Sequence, residues 1–256
     1  MISIKTKEDI ATLREGGKRH AFILQELAAM VKPGLAVIEL DVRARELIAE
    51  RGDTASFLNY KPDGARRPYP AAVCVSVNEE VVHGIPTEGN RILHEGDIVS
   101  IDLGLTHKGL ITDAAITVPV GTVTPELQQL IDVTKKALAL GIKAAKGGKH
   151  VGDIGNAIER FVIPYGYGLV EDLSGHGVGY DVHEDPYVPN FGDPGKGESL
   201  RPGMVIAIEP MLNLGTKDVI FGKDGYTFTT ADGKPSAHFE HTVVITKSGA
   251  EVLTQV

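Results

Sequence analysis

The sequence is poor in the residues that mark several protein classes. It has one cysteine, Cys74, and no tryptophan among 256 residues, so an internal disulfide framework is excluded and a reducing cytoplasmic location is predicted. No apolar run is long enough to span a bilayer, and the opening segment MISIKTKEDI lacks the apolar core and cleavage site of a secretion signal. We therefore expect no membrane partner.

Positive charge is also scarce. The chain has 26 Lys and Arg against 34 Asp and Glu, which gives a formal net charge of -8. A surface of that sign repels phosphate backbones, so direct nucleic-acid recognition is not expected. Hydrophobic residues make up 42% of the chain, which is ordinary for a globular protein, and the length suits one large domain or two small ones.

Cap signals and apolar spacing predict helices on both sides of a strand-rich centre. Thr6 followed by Asp9 resembles a capping box, and Thr124 followed by Pro125 is a typical helix start. The β-branched segments AAVCVSV and DIVSIDLGL predict strands, so the fold class is α/β (α+β). The predicted helices run from Thr6 to Pro33–Gly34, from about Ile38 to Arg51, from Thr124 to Gly147–Gly148 and from about Val151 to Ile163.

The two halves of the chain, approximately 1–120 and 121–256, repeat one pattern. Each runs helix, helix, His-Gly, strand with an acid, and strand with an acid. Several matches in one order favour a duplicated unit with an approximate two-fold axis over chance recurrence of Gly, Val and Ile. The matched segments are LHEGDIVSIDLG (93–104) with LRPGMVIAIEPM (200–211), TDAAITV (112–118) with FEHTVVI (239–245), HGI with HGV at His83 and His176, and KPGLAVIELD with KGGKHVGDIG from Lys32 and Lys146.

The repeat collects four acids in apolar surroundings. Asp102 and Asp113 lie in the hairpin VSIDLGLTHKGLITDAAI, and Glu209 and Glu240 occupy the matching places in the second half. A turn centred at His107–Lys108 would set the two aspartates directly opposite each other on one face. Carboxylates that close must share a proton, reach water or bind a cation.

Four converging carboxylates require metal charge, since no lysine or arginine lies in these strand segments. Two divalent ions about 3.5–4 Å apart would satisfy them. His176, in the glycine-rich GHGVG, is the expected nitrogen ligand. A carboxylate-rich site with one imidazole favours manganese, iron, cobalt or zinc over calcium.

The remaining histidines and the cysteine have weaker signals. His238 is left open, because it shares a strand face with Glu240. Cys74 is most simply a thiol in the hydrophobic core. The histidines expected to be ordinary solvated surface residues are His20, His94, His107 and His150.

Five segments together resemble type I methionine aminopeptidases, and the resemblance covers nearly the whole chain. It implies a duplicated pita-bread fold: two halves related by a pseudo-two-fold axis, a curved central sheet, helices outside and the metal site between the halves. Residues 1–256 would then form a single catalytic domain. The segments are NEEVVHGIP (78–86), IDLGLTHKGLITDAA (101–115), GHGVGYDVHEDP (175–186), IAIEPM (206–211) and HFEHTVVIT (238–246).

The resemblance also implies a role for each site residue. Glu209 would act as general base and then general acid, and His183 would stabilise the oxyanion of the tetrahedral intermediate. His83 would bind the substrate near the scissile amide, although it aligns with His176. Asp113 and Glu240 would bridge two divalent ions (Co, Mn, Fe or Zn), and the full implied ligand set is Asp102, Asp113, His176, Glu209 and Glu240.

The methionine pocket is implied by the same resemblance. Tyr226 stands where some relatives have a tryptophan, and an aromatic replacement keeps an apolar wall. The loop from Tyr60 to Tyr69 looks longer than in those relatives, so its contribution is left open. The residues expected around the pocket are Phe57, Tyr60, Tyr69, Cys74, Val182 and Tyr226.

The implied function is removal of the N-terminal methionine from nascent proteins with a small second residue, by a cytoplasmic monomer. Docking on ribosomes is left open. One alternative is an X-Pro aminopeptidase or prolidase of the same fold; HGIP and a first repeat helix near the N-terminus favour the methionine enzyme. The other is a non-catalytic pita-bread protein that binds peptides or partners, which the presence of all five ligands disfavours.

Overall fold

The computed structural model describes residues 2–255, and all the predicted helices are present in it. Thr6 Oγ1 accepts a hydrogen bond from Asp9 N–H at 3.1 Å, and the Asp9 carboxylate accepts one from Thr6 N–H at 2.9 Å. This capping box satisfies backbone donors that the first turn leaves unpaired. Thr124 caps the third helix through Leu127 N–H. The helices are α1 (Lys7–Met30), α2 (Ile38–Glu50), α3 (Pro125–Ala144) and α4 (Val151–Val162).

The strands are short apart from one long hairpin. In chain order they are β1 (Thr54–Ala55), β2 (Val73–Val77), β3 (Glu80–Val82), β4 (Ile98–His107), β5 (Leu110–Pro119), β6 (Gly168–Leu169), β7 (Gly175–Gly177), β8 (Glu184–Val188), β9 (Val205–Ile208), β10 (Met211–Asn213), β11 (Val219–Phe221), β12 (Phe228–Thr230), β13 (Ser236–His238), β14 (His241–Ile245) and β15 (Ala250–Val252).

Two larger sheets form the centre of the molecule, one from each half of the chain. In the first, β4 pairs with β5 on one side and with β1 and β2 on the other. The second has the order β15-β14-β9-β7-β8. Apolar residues of α1 and α2 pack against the first sheet, and those of α3 and α4 pack against the second. Each half thus contributes two helices that cover its own sheet.

The two sheets are joined where β5 passes the segment between β13 and β14. Ala115 and Glu240 exchange two backbone hydrogen bonds, of 3.3 and 2.9 Å. Threonine hydroxyls extend this contact in both directions. Thr242 Oγ1 donates to the carbonyl of Asp113 and accepts from its N–H, and Thr117 Oγ1 makes the same pair of bonds with His238. The junction therefore fixes the backbone next to two predicted metal ligands.

The register of the β4–β5 hairpin differs from the prediction. The turn lies at Lys108–Gly109, where φ is 50° and 83°, rather than at His107–Lys108. Two-residue hairpin turns favour positive φ at both positions, and glycine adopts it at low cost. Asp102 therefore pairs with Ala115, and Asp113 pairs with Gly104. Because side chains alternate with a period of two, this two-residue shift leaves both acids on one face.

Two histidines that were expected at the surface are buried, because α1 packs across the hairpin. His20 Nδ1 lies 3.0 Å from Thr112 Oγ1, and His107 Nδ1 lies 2.7 Å from Asp53 Oδ1. Gly16 permits the close approach, since a Cβ there would be 2.9 Å from the Cβ of His107. In the described part of the chain, no helix combines the length and hydrophobicity needed to cross a bilayer.

Candidate metal centre

The five predicted ligands are brought together on the wall of one cavity of 1110 Å³. They come from the ends and middles of different strands in both halves. This convergence follows from the junction of the two sheets, which places the hairpin beside the second sheet. Asp102 lies on β4, Asp113 on β5, His176 on β7, Glu209 directly after β9 and Glu240 directly before β14.

The donor atoms are close enough to share cations. Asp113, His176 and Glu240 each offer an atom within 4.8 Å of the others. His176 Nε2 lies 3.9 Å from Asp113 Oδ2 and 3.5 Å from Glu209 Oε1. The carboxyl groups of Asp102 and Asp113 are close enough to shift each other's pKa, so the two-residue shift in register does not separate them.

The ring of His176 is held in the form that metal ligands use. Its Nδ1 lies 2.9 Å from the carbonyl oxygen of Gly177. A carbonyl can only accept, so Nδ1 carries the proton and Nε2 keeps a free lone pair. Burial, together with His183, lowers the pKa of His176 to about 3. The imidazole is therefore neutral, with Nε2 directed among the carboxylates.

The acids are destabilised by one another when no cation is present. Burial raises the pKa of all four, and repulsion from neighbouring acids raises it further at Asp113, Glu209 and Glu240. No lysine or arginine from residues 2–255 lines the cavity. Three buried carboxylate oxygens have no hydrogen-bond partner: Asp102 Oδ1, Asp113 Oδ1 and Glu240 Oε1. Unpaired buried oxygens and excess negative charge both fit a site for divalent cations.

Two further residues, which sequence reasoning did not single out, hold the acids in place. Asn190 is fully buried and donates from Nδ2 to the backbone carbonyl of Glu209 at 3.1 Å. Thr242 binds the backbone of Asp113 at 2.7 and 2.8 Å. Thr242 is a hydroxyl residue in the otherwise apolar strand segment TVVI, and a polar side chain in such a segment indicates a buried hydrogen bond. Asn190 lies in a loop and had no comparable signal.

His83 and His183 line the same cavity but are not part of the metal-capable group. The His183 ring lies 4.5 Å from that of His176, and its Nδ1 is 2.9 Å from the Tyr60 hydroxyl. His83 has φ of 60°, a left-handed conformation that is uncommon for residues with a Cβ. Thr227 Oγ1 donates to its backbone carbonyl at 3.3 Å. Burial and the nearby His183 lower the pKa of His83 to about 4.

An apolar pocket adjoins the carboxylates, and all six residues predicted for it are present there. Tyr69 and Tyr226 meet edge to face with ring centroids 5.1 Å apart. Both hydroxyls are satisfied by backbone carbonyls, Tyr69 by Gly84 at 2.8 Å and Tyr226 by Arg67. The residues that form the cluster are Phe57, Tyr69, Ala71, Cys74, Ile85, Val182 and Tyr226, with Tyr60 packed against it.

The loop that carries His183 is anchored by the N-terminal segment. The side chain of Lys5 is fully buried, and its Nζ lies 2.6 Å from Glu184 Oε2 and also contacts Ser3. Glu184 Oε1 accepts from the N–H groups of Tyr180 and Asp181 at 2.6 and 3.3 Å. The contact between Lys5 and Glu184 joins positions 179 residues apart in sequence, so no local pattern could have predicted it.

Comparisons with known proteins agree with this architecture. Residues 11–247 match the model of metallopeptidase family M24. The chain is 44% identical over 256 residues to methionine aminopeptidase 1 of Bacillus subtilis (strain 168), with full coverage of both chains. It is 45% identical over 257 residues to the methionine aminopeptidase of Aquifex aeolicus (strain VF5), covering 100% of this chain and 99% of that one.

Solved structures share the fold. The methionine aminopeptidase of Thermotoga maritima matches with a TM-score of 0.95 and 41% identity, covering both chains completely. The prolidase of Pyrococcus furiosus matches with a TM-score of 0.76 and 23% identity, over 99% of this chain and 65% of that one. At that identity the prolidase shows the fold alone. The predicted pita-bread α/β fold is thus confirmed.

Proposed function

Because the chain belongs to metallopeptidase family M24, we propose that it is a methionine aminopeptidase, which hydrolyses the peptide bond after an N-terminal methionine. The observation that carries this proposal is a buried group of four acids and one neutral imidazole beside an apolar, aromatic pocket. We further propose that its substrates are nascent chains with a small second residue, and that it acts as a cytoplasmic monomer.

The four acids and His176 would hold two divalent ions. The four positive charges of two such ions balance the four carboxylates, and the neutral imidazole adds no charge. The residues that would hold the ions are Asp102, Asp113, Glu209 and Glu240 through their carboxylates and His176 through Nε2. When bound, such ions lower the pKa of a water molecule and polarise a carbonyl group. Cobalt, manganese, iron and zinc all suit this donor set.

Glu209 would carry the proton in the reaction. Its side chain is 13% exposed, against 4% for Asp113 and 2% for Glu240. The Glu209 carboxylate can therefore reach a substrate in the cavity. Burial and the nearby Asp113 raise its pKa above the ordinary value, which favours a group that both takes and returns a proton near neutral pH. Glu209 would accept a proton from water and deliver it to the leaving amine nitrogen.

The two other histidines and the apolar pocket would bind the substrate. Tyr60 Oη lies 2.9 Å from His183 Nδ1. In the tautomer in which this hydroxyl donates to Nδ1, the Nε2–H of the ring would be available to the substrate's carbonyl oxygen as negative charge develops there. His83 would contact the scissile amide. The pocket around Tyr69 and Tyr226 would take the methionine side chain, and the acidic cavity favours the positively charged α-amine of a free N-terminus.

A comparison of two peptides tests the proposal. Purified protein, reconstituted with each divalent metal in turn, should release methionine from Met-Ala-Ser and leave an Ala-Pro substrate largely intact. Preference for Ala-Pro would assign the chain to the proline-directed enzymes of the same fold. Absence of both activities with metal bound would indicate a binding protein.

Metal analysis provides the second test. Protein purified without added metal should bind close to two equivalents of ion, and activity should follow their binding. Saturation of activity at a single equivalent would contradict the dinuclear part of the proposal while leaving the peptidase assignment in place.

A further inference from the structure

His238 is buried beside the candidate metal centre, and no hydrogen bond reaches its ring. It is 1% exposed, and both Nδ1 and Nε2 lack a partner. Buried imidazole nitrogens are normally paired, since an unpaired one keeps the cost of lost hydration. The position of this ring therefore needs an explanation beyond packing.

The ring faces two of the acids. Nε2 lies 3.6 Å from Glu209 Oε2 and 4.0 Å from Glu240 Oε2. Two hydrogen bonds to Thr117 hold the backbone of His238 in place. Its N–H donates to Thr117 Oγ1 at 2.8 Å, and its carbonyl accepts from the same hydroxyl at 2.7 Å. With the backbone fixed, the 3.6 Å between Nε2 and Glu209 Oε2 exceeds the usual upper limit of an N–H···O hydrogen bond by about 0.4 Å.

Among the lysine, arginine and histidine side chains of residues 2–255, two lie within 4 Å of that carboxylate. They are His238, and His176 with Nε2 3.5 Å from Glu209 Oε1. His176 carries its proton on Nδ1, which faces the Gly177 carbonyl, so its Nε2 cannot donate. In its neutral form the His238 ring has one proton to offer and adds no charge to the centre.

We propose that His238 is a positioning residue, which donates Nε2–H to Glu209 Oε2 and so fixes the orientation of that carboxylate. The inference rests on the proposed function, in which Glu209 carries the proton. The arrangement follows the general logic of a catalytic base held by a third group. It makes a specific demand: loss of the donor should affect turnover much more than metal binding or substrate binding.

Two substitutions separate the hydrogen bond from packing. His238→Leu removes the donor and keeps an apolar side chain of similar bulk, and His238→Gln supplies an amide donor. With Met-Ala-Ser as substrate, the leucine variant should lose about 10- to 100-fold in kcat, the usual effect of a hydrogen bond to a charged group. Its KM and its zinc affinity by calorimetry should stay within about twofold, and the glutamine variant should recover most of the loss.

His241→Leu is the matched control. His241 lies three residues further along the chain, and its Nδ1 contacts Thr254 Oγ1 at 2.9 Å instead of a carboxylate. It should keep the wild-type kcat even where its melting temperature falls. Wild-type kcat in His238→Leu, or zinc affinity that falls in step with kcat, would overturn the proposal.

A spectroscopic measurement keeps the proposal testable if the variants do not fold or the wild type shows no peptidase activity. Lack of methionine release by the wild type would reject the proposed function. The hydrogen bond from His238 to Glu209 would then be decided by the spectroscopic measurement alone. In 15N-labelled wild type, both metal-free and zinc-loaded, the His238 ring should carry a proton on Nε2. That proton should shift or exchange faster in Glu209→Ala. A proton on Nδ1 alone would rule out the donor role.

Discussion

Replacement of Lys5 by methionine should reduce stability and turnover together, because Lys5 anchors the loop that carries His183. Its ammonium group has no exposed surface, while the side chain of its partner Glu184 is 9% exposed. The Glu184 carboxylate in turn holds the backbone of Tyr180. Burial alone would raise the pKa of Glu184, but hydrogen bonds from Lys5 and Ser3 outweigh it and hold that pKa below the ordinary value.

The expected magnitude follows from the burial of this ion pair. Removing one member of a buried pair typically costs about 3–5 kcal/mol, since the other charge stays behind without a partner. Glu184 keeps the Ser3 hydroxyl and two backbone donors, so we expect the lower end, about 3 kcal/mol. For a chain of this size that corresponds to a fall in melting temperature of about 6–12 °C.

The pH dependence of this loss has a definite sign. A carboxylate whose folded-state pKa is depressed adds stability above its unfolded pKa and loses that contribution as the pH falls through the folded value. Lys5→Met removes part of the depression at Glu184. The difference between wild type and variant should therefore be largest at neutral pH and shrink in acid.

A double-mutant cycle with Glu184→Gln, followed by thermal unfolding and methionine release, measures the coupling. The double variant should be destabilised by less than the sum of the two single variants, and the metal affinity of Lys5→Met should be retained. Lys217→Met is the control, because Lys217 and Glu171 form a pair of the same 2.6 Å length with side chains 51% and 41% exposed. Exposed pairs contribute about 0–1 kcal/mol. Additive losses, or equal losses for Lys5→Met and Lys217→Met, would refute the reasoning.

Three further predictions concern the centre and its support. Glu209→Gln should keep most metal binding but lose about 100-fold or more in kcat; unchanged methionine release would contradict the proton-carrying role. Because burial raises the pKa of the four acids, metal binding should release protons and weaken as the pH falls, and calorimetry in buffers of different ionisation enthalpy should detect that release. Gly17→Ala should cost about 1–3 kcal/mol in urea unfolding, since its Cβ would lie 2.1 Å from the Leu253 carbonyl oxygen; the exposed Lys18→Ala on the same helix should cost far less.

The features that the sequence predicted well depend on local chemistry or on the repeat. Thr6 with Asp9 and Thr124 with Pro125 begin helices because the cap bonds join residues three positions apart. The gathering of the acids was predictable for another reason. Duplicated halves that meet about a two-fold axis bring equivalent strands to one place, so two acids in one half predict a group of four.

The features that were missed depend on contacts between distant segments. The burial of His20 and His107 is set by α1 packing across the hairpin. The charges of Lys5 and Glu184 come from opposite halves of the chain and meet only in the tertiary structure. The hairpin register is a different case. Lys108–Gly109 offers a glycine where positive φ is needed and His107–Lys108 does not, so turn chemistry on its own favoured the observed register.

The repeat predicts where a residue lies better than it predicts what the residue does, and His83 and His176 show why. They occupy matching places after the second helix of each half, yet only His176 joins Asp113 and Glu240 in the metal-capable group. His176 lies within β7, so its side chain leaves an extended backbone beside the acids. His83 follows the end of β3 with φ of 60°, and its ring lies edge to face against that of Phe228, with centroids 6.0 Å apart. The backbone conformation at one position therefore decides which of two equivalent histidines faces the carboxylates, and an alignment of the halves carries no information about that angle.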